Sequence, residues 1–234
     1  SNVLPIRRFG DLSVSMLKLD GELKREYGSS NTTAIKDLNN ITTINNIIKG
    51  IYESLMCLQK SNLYYYDIKV ENILTHKGKI FLGDLGSLIL PGTDISLSYM
   101  PLNYYQKNSN SQTIYDEFPK LYYPWVLSVL GVELLNKKEF YFKHYDIKRG
   151  SKGYYDFDNN DLLVPDKNYT ADIEKLNNIR TTQKSETKSY EYFVLEMVDE
   201  NRLQKYNPST SNYKDNCQKY IKDFETFIGY STSD

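Results

Sequence analysis

The chain has 234 residues, 40% of them hydrophobic, which is enough to bury one large core or two small ones. Its formal net charge is −1 and its pI is near 6.2, so it has no overall basic field of the kind that attracts nucleic acid or an anionic membrane. The two cysteines, Cys57 and Cys217, fit neither a zinc-ligand spacing nor a disulfide framework, and they favour a reducing, intracellular setting.

The N-terminal third of the chain predicts a small sheet followed by a long helix. Residues 3–7 and 12–19 are strand-like runs, with residues 9–11 as the turn between them, and residues 22–27 predict a short helix. From Thr43 the apolar residues recur at steps of three and four, which predicts an amphipathic helix ending near Lys60. Thr42 or Thr43 is the predicted N-cap, and Cys57 is predicted to be a small core residue.

Residues 63–88 contain most of the chemically informative side chains. Two β-type runs, 72–74 and 79–82, are joined by a His-Lys-Gly turn, so a hairpin is expected. Because the loop before a hairpin and the segment after it lie at the same end, Asp67, Asn72 and Asp84 are expected to converge. Carboxylate and amide oxygens suit Mg²⁺, and Lys69 adds a positive charge suited to phosphate. The segment therefore predicts a phosphoryl-transfer site.

The same residues carry a resemblance to a known family. Tyr-Asp-Ile-Lys-Val-Glu-Asn, residues 66–72, resembles the H-R-D-L-K-x-x-N catalytic loop of eukaryotic-type protein kinases, and Asp84-Leu85-Gly86 resembles their D-F-G. The resemblance implies that Asp67 is the catalytic base and Lys69 the phosphate-contacting lysine. It implies that Asn72, Asp84 and Gly86 bind the cofactor, ATP with Mg²⁺, and that Asn72 and Asp84 ligate the metal. A lysine two residues after the aspartate is similar to Ser/Thr kinases.

The resemblance also implies a fold and a domain organisation. The expected class is α+β and mostly helical: a kinase-like large lobe with a catalytic-loop hairpin and a remnant of the small-lobe sheet. Residues 19–23 resemble the kinase hinge, so residues 1–20 are predicted to be the small-lobe remnant and residues 21–234 the large lobe. The composition and these motifs are similar to kinase-like proteins of large DNA viruses, which implies the cytoplasm of a host, or a virion, as the location. Since the chain opens with Ser1, a fragment or a processed product is expected.

The remaining elements follow from periodicity and composition. Residues 87–99 are predicted to be the activation segment, residues 104–119 a polar surface insertion and residues 122–135 a buried helix. That apolar run is shorter than the roughly 18 residues of a membrane span. Residues 143–170 predict a loop region. Helices are predicted at 171–179, 190–198 and 216–227, with Gly229 ending the last one.

Three functions stay open on the sequence. The first is a Ser/Thr kinase-like phosphotransferase that acts on a protein hydroxyl, with a protein as substrate or partner and neither nucleic acid nor membrane involved. The second is a pseudokinase-type interaction module, because no glycine-rich loop or strand lysine precedes Asp20 and because Tyr65 and Tyr66 replace the His-Arg pair. The third is a small-molecule phosphotransferase of the aminoglycoside or choline kinase type, although those sites usually lack a lysine at the position of Lys69.

Overall fold

The computed structural model describes slightly more than half of the chain, and it is an α+β structure in which helix predominates. The described residues are 6–10, 13–16, 21–22, 40–77, 79–89, 114–136, 155–157, 163–165, 171, 173–178, 188–198, 200–207 and 209–231. They fall into two units: the first comprises residues 1–93 and 134–137, and the second comprises residues 94–133 and 138–234. The predicted boundary after residue 20 lies inside the first unit, and it stays a prediction.

The first unit combines one long helix with short antiparallel strands. Strands β1 (Ile6–Gly10) and β2 (Ser13–Met16) form a pair. Strands β3 (Gly21–Glu22), β5 (Ile73–His76) and β6 (Lys79–Leu82) form a three-stranded sheet in the order β3-β5-β6. Strand β4 (Tyr64–Tyr65) pairs with β7 (Leu88–Ile89), so the chain before the Asp67 loop lies beside the chain after Asp84.

Helix α1 (Ile41–Lys60) confirms the predicted amphipathic helix and its end at Lys60. Its apolar side is buried, with Ile44, Ile48 and Leu55 fully inaccessible to solvent. The predicted N-cap was wrong: Asn40 caps the helix, and its Oδ1 accepts from the Thr42 backbone N–H at 2.8 Å. Asparagine is among the strongest N-cap residues, whereas threonine is weaker, so the helix begins earlier than its apolar pattern indicated.

Four other details of the first unit differ from the prediction. Strand β1 runs through Phe9 and Gly10, which pair with Val14 and Ser13, so neither residue belongs to a turn. Glu22 belongs to strand β3 and pairs with Leu74, whereas residues 23–27 of the predicted short helix lie outside the described residues. His76 pairs with Lys79, so this histidine belongs to strand β5 and not to the turn. Cys57 is exposed, because it lies on the solvent side of α1.

The second unit contains the remaining helices and one more strand pair. They are α2 (Ile114–Asn136, whose last three residues cluster with the first unit), β8 (Tyr155–Phe157), β9 (Leu163–Pro165), α3 (Tyr190–Val198), α4 (Glu200–Leu203) and α5 (Tyr213–Phe227). Residues 171 and 173–178 are helical, as predicted. Strands β8 and β9 pair antiparallel inside residues 143–170, where a loop had been predicted.

Aromatic rings form the centre of this unit. The Phe193 ring lies 5.5 Å from the Tyr220 ring and 5.4 Å from the Phe224 ring, both edge to face, an arrangement that aromatic quadrupoles favour. The Tyr220 hydroxyl donates to the backbone oxygen of Phe193 at 2.8 Å, which ties α5 to α3. These contacts pack α3, which confirms the helix predicted at residues 190–198, against α5.

Two boundaries in the second unit differ from the prediction. Helix α2 is buried from Leu121 to Leu134, as expected, but it begins at Ile114, inside the residues predicted to be a surface insertion. Helix α5 begins at Tyr213, three residues before the predicted start. Its predicted end is confirmed: Gly229 has φ +69° and donates to the Thr226 oxygen, and the Tyr230 N–H reaches the Glu225 oxygen, which together form a Schellman cap.

Among the helices that the structure describes, none combines the length and the apolar character that a bilayer crossing requires.

Candidate active site

The loop that carries Asp67 is shaped by an alternation of buried and accessible residues. Tyr65, Ile68 and Val70 are buried, whereas Asp67 and Lys69 between them keep 20% and 27% of their side chains exposed. The loop closes with a single 3₁₀ turn, Val70–Asn72, in which the Asn72 N–H donates to the Lys69 oxygen at 3.0 Å. The apolar residues anchor the loop to the core, and the two charged side chains reach the surface.

Asp67, Lys69 and Asn72 contact one another directly. The Lys69 Nζ lies 2.8 Å from Oδ2 of Asp67, and the Asn72 Nδ2 donates to the same Oδ2 at 2.7 Å. The Asn72 Nδ2 also donates to the backbone oxygen of Asp67 at 2.9 Å, which closes the loop on itself. Both donors thus engage one carboxylate oxygen, and within the described part of the chain Oδ1 of Asp67 has no hydrogen-bond donor.

Asp84 joins this group through the peptide groups of Gly83. The Gly83 N–H donates to the Asn72 backbone oxygen at 2.8 Å, so the residue that precedes Asp84 is hydrogen-bonded to Asn72. Asp84 itself adopts a left-handed conformation with φ +47° and ψ +55°, and it precedes the 3₁₀ turn Leu85–Ser87. Its side chain is exposed, and a Cβ built on Gly86 would lie 3.5 Å from its Oδ1. Asp84 and Gly86 therefore form one exposed turn beside Asn72.

A buried tyrosine, Tyr65, lies two residues before Asp67 and contacts the residue that precedes Asp84. Its hydroxyl donates to the Gly83 oxygen at 2.8 Å, and its ring is fully buried. Burial raises the pKa of the Tyr65 hydroxyl well above 10.0, the negative charges of Asp67 and Asp84 raise it further, and a side-chain hydrogen bond with Asn72 opposes them. The bonds of Asn72 to Asp67 and to Gly83, with that of Tyr65 to Gly83, connect the Asp67 loop to the residue before Asp84.

The donor set fits a cation that is shared with a phosphate better than one held by protein alone. Among the described residues, no three His, Cys, Asp or Glu side chains lie close enough together to hold a metal ion. Mg²⁺ is usually bound by one or two carboxylates together with phosphate oxygens and waters. Asn72 directs its Nδ2 at Asp67, which leaves its amide oxygen as an acceptor, and Asp84 offers an exposed carboxylate. These two residues suit such a site.

The structure thus brings the five predicted site residues to one end of the β5–β6 hairpin. Three of them are in direct contact, and the other two, Asp84 and Gly86, are connected through Gly83. The predicted activation segment lies outside the described residues from residue 90 onward. Sequence reasoning missed the hydrogen bond from the Tyr65 hydroxyl to Gly83, because three consecutive tyrosines gave no sign of which hydroxyl would make it. No sequence signal singled it out: Tyr65 and Tyr66 are both buried, and the apolar alternation of Tyr66, Ile68 and Val70 would have selected Tyr66.

A comparison with protein-family models finds none that matches the chain, and a comparison with curated proteins finds no significant match. A function for the chain must therefore be argued from the geometry of this site and from the motifs that form it.

Proposed function

We propose that the chain is a Ser/Thr protein kinase-like phosphotransferase that moves the γ-phosphoryl group of ATP to a hydroxyl group of a protein. The observation that carries the proposal is the arrangement of the Asp67 carboxylate. Its Oδ2 accepts from Lys69 at 2.8 Å and from Asn72 at 2.7 Å, while its Oδ1 faces no donor from the described residues, and the side chain is 20% exposed. A carboxylate fixed through one oxygen can receive a substrate proton on the other.

The residues around Asp67 have complementary roles in this proposal. Asp67 orients the attacking hydroxyl and accepts its proton, and Asn72 holds the residue by donating one hydrogen bond to its carboxylate and one to its backbone oxygen. The Lys69 ammonium has three N–H donors, of which one reaches Asp67. The other two are available to phosphoryl oxygens, where the positive charge favours negative charge that develops during transfer.

Asn72 and Asp84 would hold the magnesium ion of the nucleotide, with Gly86 beside them. When bound, Mg²⁺ would neutralise part of the negative charge of the phosphates. The chain contributes one amide oxygen and one carboxylate, held near each other by the bond between the Gly83 N–H and the Asn72 oxygen. The absence of a side chain at Gly86 allows the phosphate-bound ion to approach the turn closely.

The first test is a calorimetric titration of the chain with ATP, with and without Mg²⁺, beside an assay of phosphoryl transfer to generic protein substrates. We expect Asp84→Ala to lose the Mg²⁺-dependent part of the binding because it loses a metal ligand. We expect Asp67→Asn to bind MgATP with nearly the wild-type affinity and to lose transfer by at least about 100-fold, because the base is absent. Asp215→Asn, an exposed position in α5, is the matched control.

Each variant has an outcome that contradicts the proposal. Equal transfer by Asp67→Asn and the wild type would remove the proposed base, and Mg²⁺-dependent binding that survives in Asp84→Ala would remove the proposed metal site. An equal loss in the Asp215→Asn control would show that the assay reports folding instead of chemistry.

A non-catalytic interaction module is the second candidate, and the environment of Tyr66 favours it. Tyr66 occupies the place of the kinase arginine, is 8% exposed and stacks against Tyr64 with ring centroids 6.2 Å apart. That position therefore offers packing where the kinase family has a cation that binds phosphate. The same titration separates the two candidates, because an interaction module gives no Mg²⁺-dependent nucleotide binding.

A further inference from the structure

Tyr65 contacts the chain on both sides of the Asp84 turn. Before the turn, its hydroxyl donates to the Gly83 oxygen at 2.8 Å. After the turn, its backbone pairs with Leu88 where strands β4 and β7 meet. Its ring is fully buried, so it is fixed by the core that surrounds it. A single rigid residue thus spans the two ends of the segment that carries Asp84 and Gly86.

The conformation of Asp84 requires such a support. Its φ of +47° lies in the left-handed region, which is unfavourable for a residue with a side chain and persists only where the surroundings impose it. The described contacts that fix the preceding residue are the two bonds of Gly83, one to Asn72 and one from Tyr65. Loss of the Tyr65 bond leaves Gly83 held only through its N–H.

We propose that Tyr65 is a positioning residue: its hydroxyl holds the Gly83 peptide group, and thereby sets the Asp84 carboxylate beside the Asn72 side chain. The role of this placement in metal binding rests on the proposed function, whereas the effect on the turn does not. Tyr65 acts through Gly83, and its hydroxyl touches neither nucleotide nor substrate.

The test compares Tyr65→Phe with Tyr64→Phe, which removes a hydroxyl from the adjacent residue of the same strand. Tyr64 is half-buried and stacks on Tyr66, and within the described residues its hydroxyl makes no hydrogen bond, so it is a matched control. Two readouts are measured: the amide hydrogen exchange of residues 83–88 relative to α1, and the affinity for ATP with and without Mg²⁺.

We expect residues 83–88 to exchange roughly tenfold faster in Tyr65→Phe, and α1 to be unaffected, because one buried hydrogen bond to the turn is lost. We also expect the affinity for MgATP to fall roughly tenfold while Mg²⁺-free binding stays at the wild-type value. A purely structural role would lower both affinities together and would not change their ratio. Tyr64→Phe should match the wild type in both readouts.

The outcomes distinguish this inference from the proposed function. Suppose that the wild type binds MgATP. If Tyr65→Phe then has the same ratio of ATP affinities with and without Mg²⁺, and the same amide exchange at residues 83–88, the positioning role of Tyr65 is wrong. If the wild type shows no Mg²⁺-dependent binding, the proposed function fails, and the exchange of residues 83–88 still decides whether Tyr65 holds the turn.

Discussion

Asp67 and Glu196 are both carboxylates that contact a lysine and a second donor, but their exposure differs. The Asp67 side chain is 20% exposed and has one oxygen without a donor from the described residues, whereas the Glu196 side chain is 4% exposed. Oε2 of Glu196 accepts from the Tyr206 hydroxyl at 2.7 Å and pairs with Lys205. Burial therefore gives Glu196 a structural role, whereas Asp67 stays partly accessible to solvent, as the proposed function requires.

Removal of the Tyr206 hydroxyl tests this structural role. Tyr206→Phe keeps the ring and leaves the buried Glu196 with Lys205 as its remaining partner in this group, so we expect the free energy of unfolding to fall by about 1–3 kcal/mol. Urea unfolding followed by circular dichroism measures the change. The control is Tyr213→Phe in α5, whose hydroxyl bonds to no described residue. Equal stability of the two variants would show that Glu196 does not depend on Tyr206.

Local signals fixed some elements in this chain, and tertiary contacts fixed others. The cap at Gly229 was predictable because glycine adopts positive φ freely, and the buried face of α1 followed from its apolar spacing. The start of α2 was not predictable, because its first turns contain polar residues and Pro119. The helix also continues through Pro124, which lacks the N–H of a regular helix, so helix propensity does not determine this segment. Burial of its apolar faces outweighs that cost.

The packing between α2 and α3 provides a prediction at the scale of elements. A Cβ added to Gly131 would lie 2.6 Å from two ring atoms of Tyr190, closer than real contacts allow. Both residues are buried and the ring is rigid, so we expect Gly131→Ala to lower the free energy of unfolding by about 1–3 kcal/mol. Thermal unfolding of the variant measures the loss.

A second substitution shows whether the clash is the cause. Tyr190→Leu removes the ring, so the double variant Gly131→Ala with Tyr190→Leu should be more stable than the sum of the two single effects. Additive effects would mean that Gly131→Ala destabilises α2 by another route.

Among the residues that the structure describes, buried tyrosines are the titratable groups whose pKa values burial raises most. The hydroxyl pKa values of Tyr65, Tyr190, Tyr206 and Tyr220 are all raised above 10.0, with burial as the largest cause. A group whose pKa is raised by folding keeps its full contribution to stability below its unfolded pKa and loses it as the pH rises through the folded pKa. The loss for these tyrosines therefore begins near pH 10.

We accordingly expect stability to be lost at alkaline pH. Above pH 10 these hydroxyls ionise in the unfolded chain but not in the folded chain. Each of them therefore lowers the free energy of unfolding by about 1 kcal/mol or more by pH 11. Urea unfolding at pH 8, 10 and 11 measures the decline. Tyr220→Phe should reduce the slope, because it removes one such group. A wild-type curve that is flat from pH 8 to pH 11 would contradict the expectation.

The sequence by itself determined the elements whose signals are local: helices α1 and α3, the end of α5, and the β5–β6 hairpin with the aspartates on either side of it. These depend on hydrophobic periodicity and on turn residues, which act over a few positions. Only the tertiary structure decided that Tyr65 lies beneath Asp67 and Asp84, that Asn72 and Lys69 share one carboxylate oxygen, and that Cys57 faces solvent. The Tyr65 contact joins residues 18 positions apart, and the other two features depend on which side chains the core buries, which no short stretch of sequence specifies.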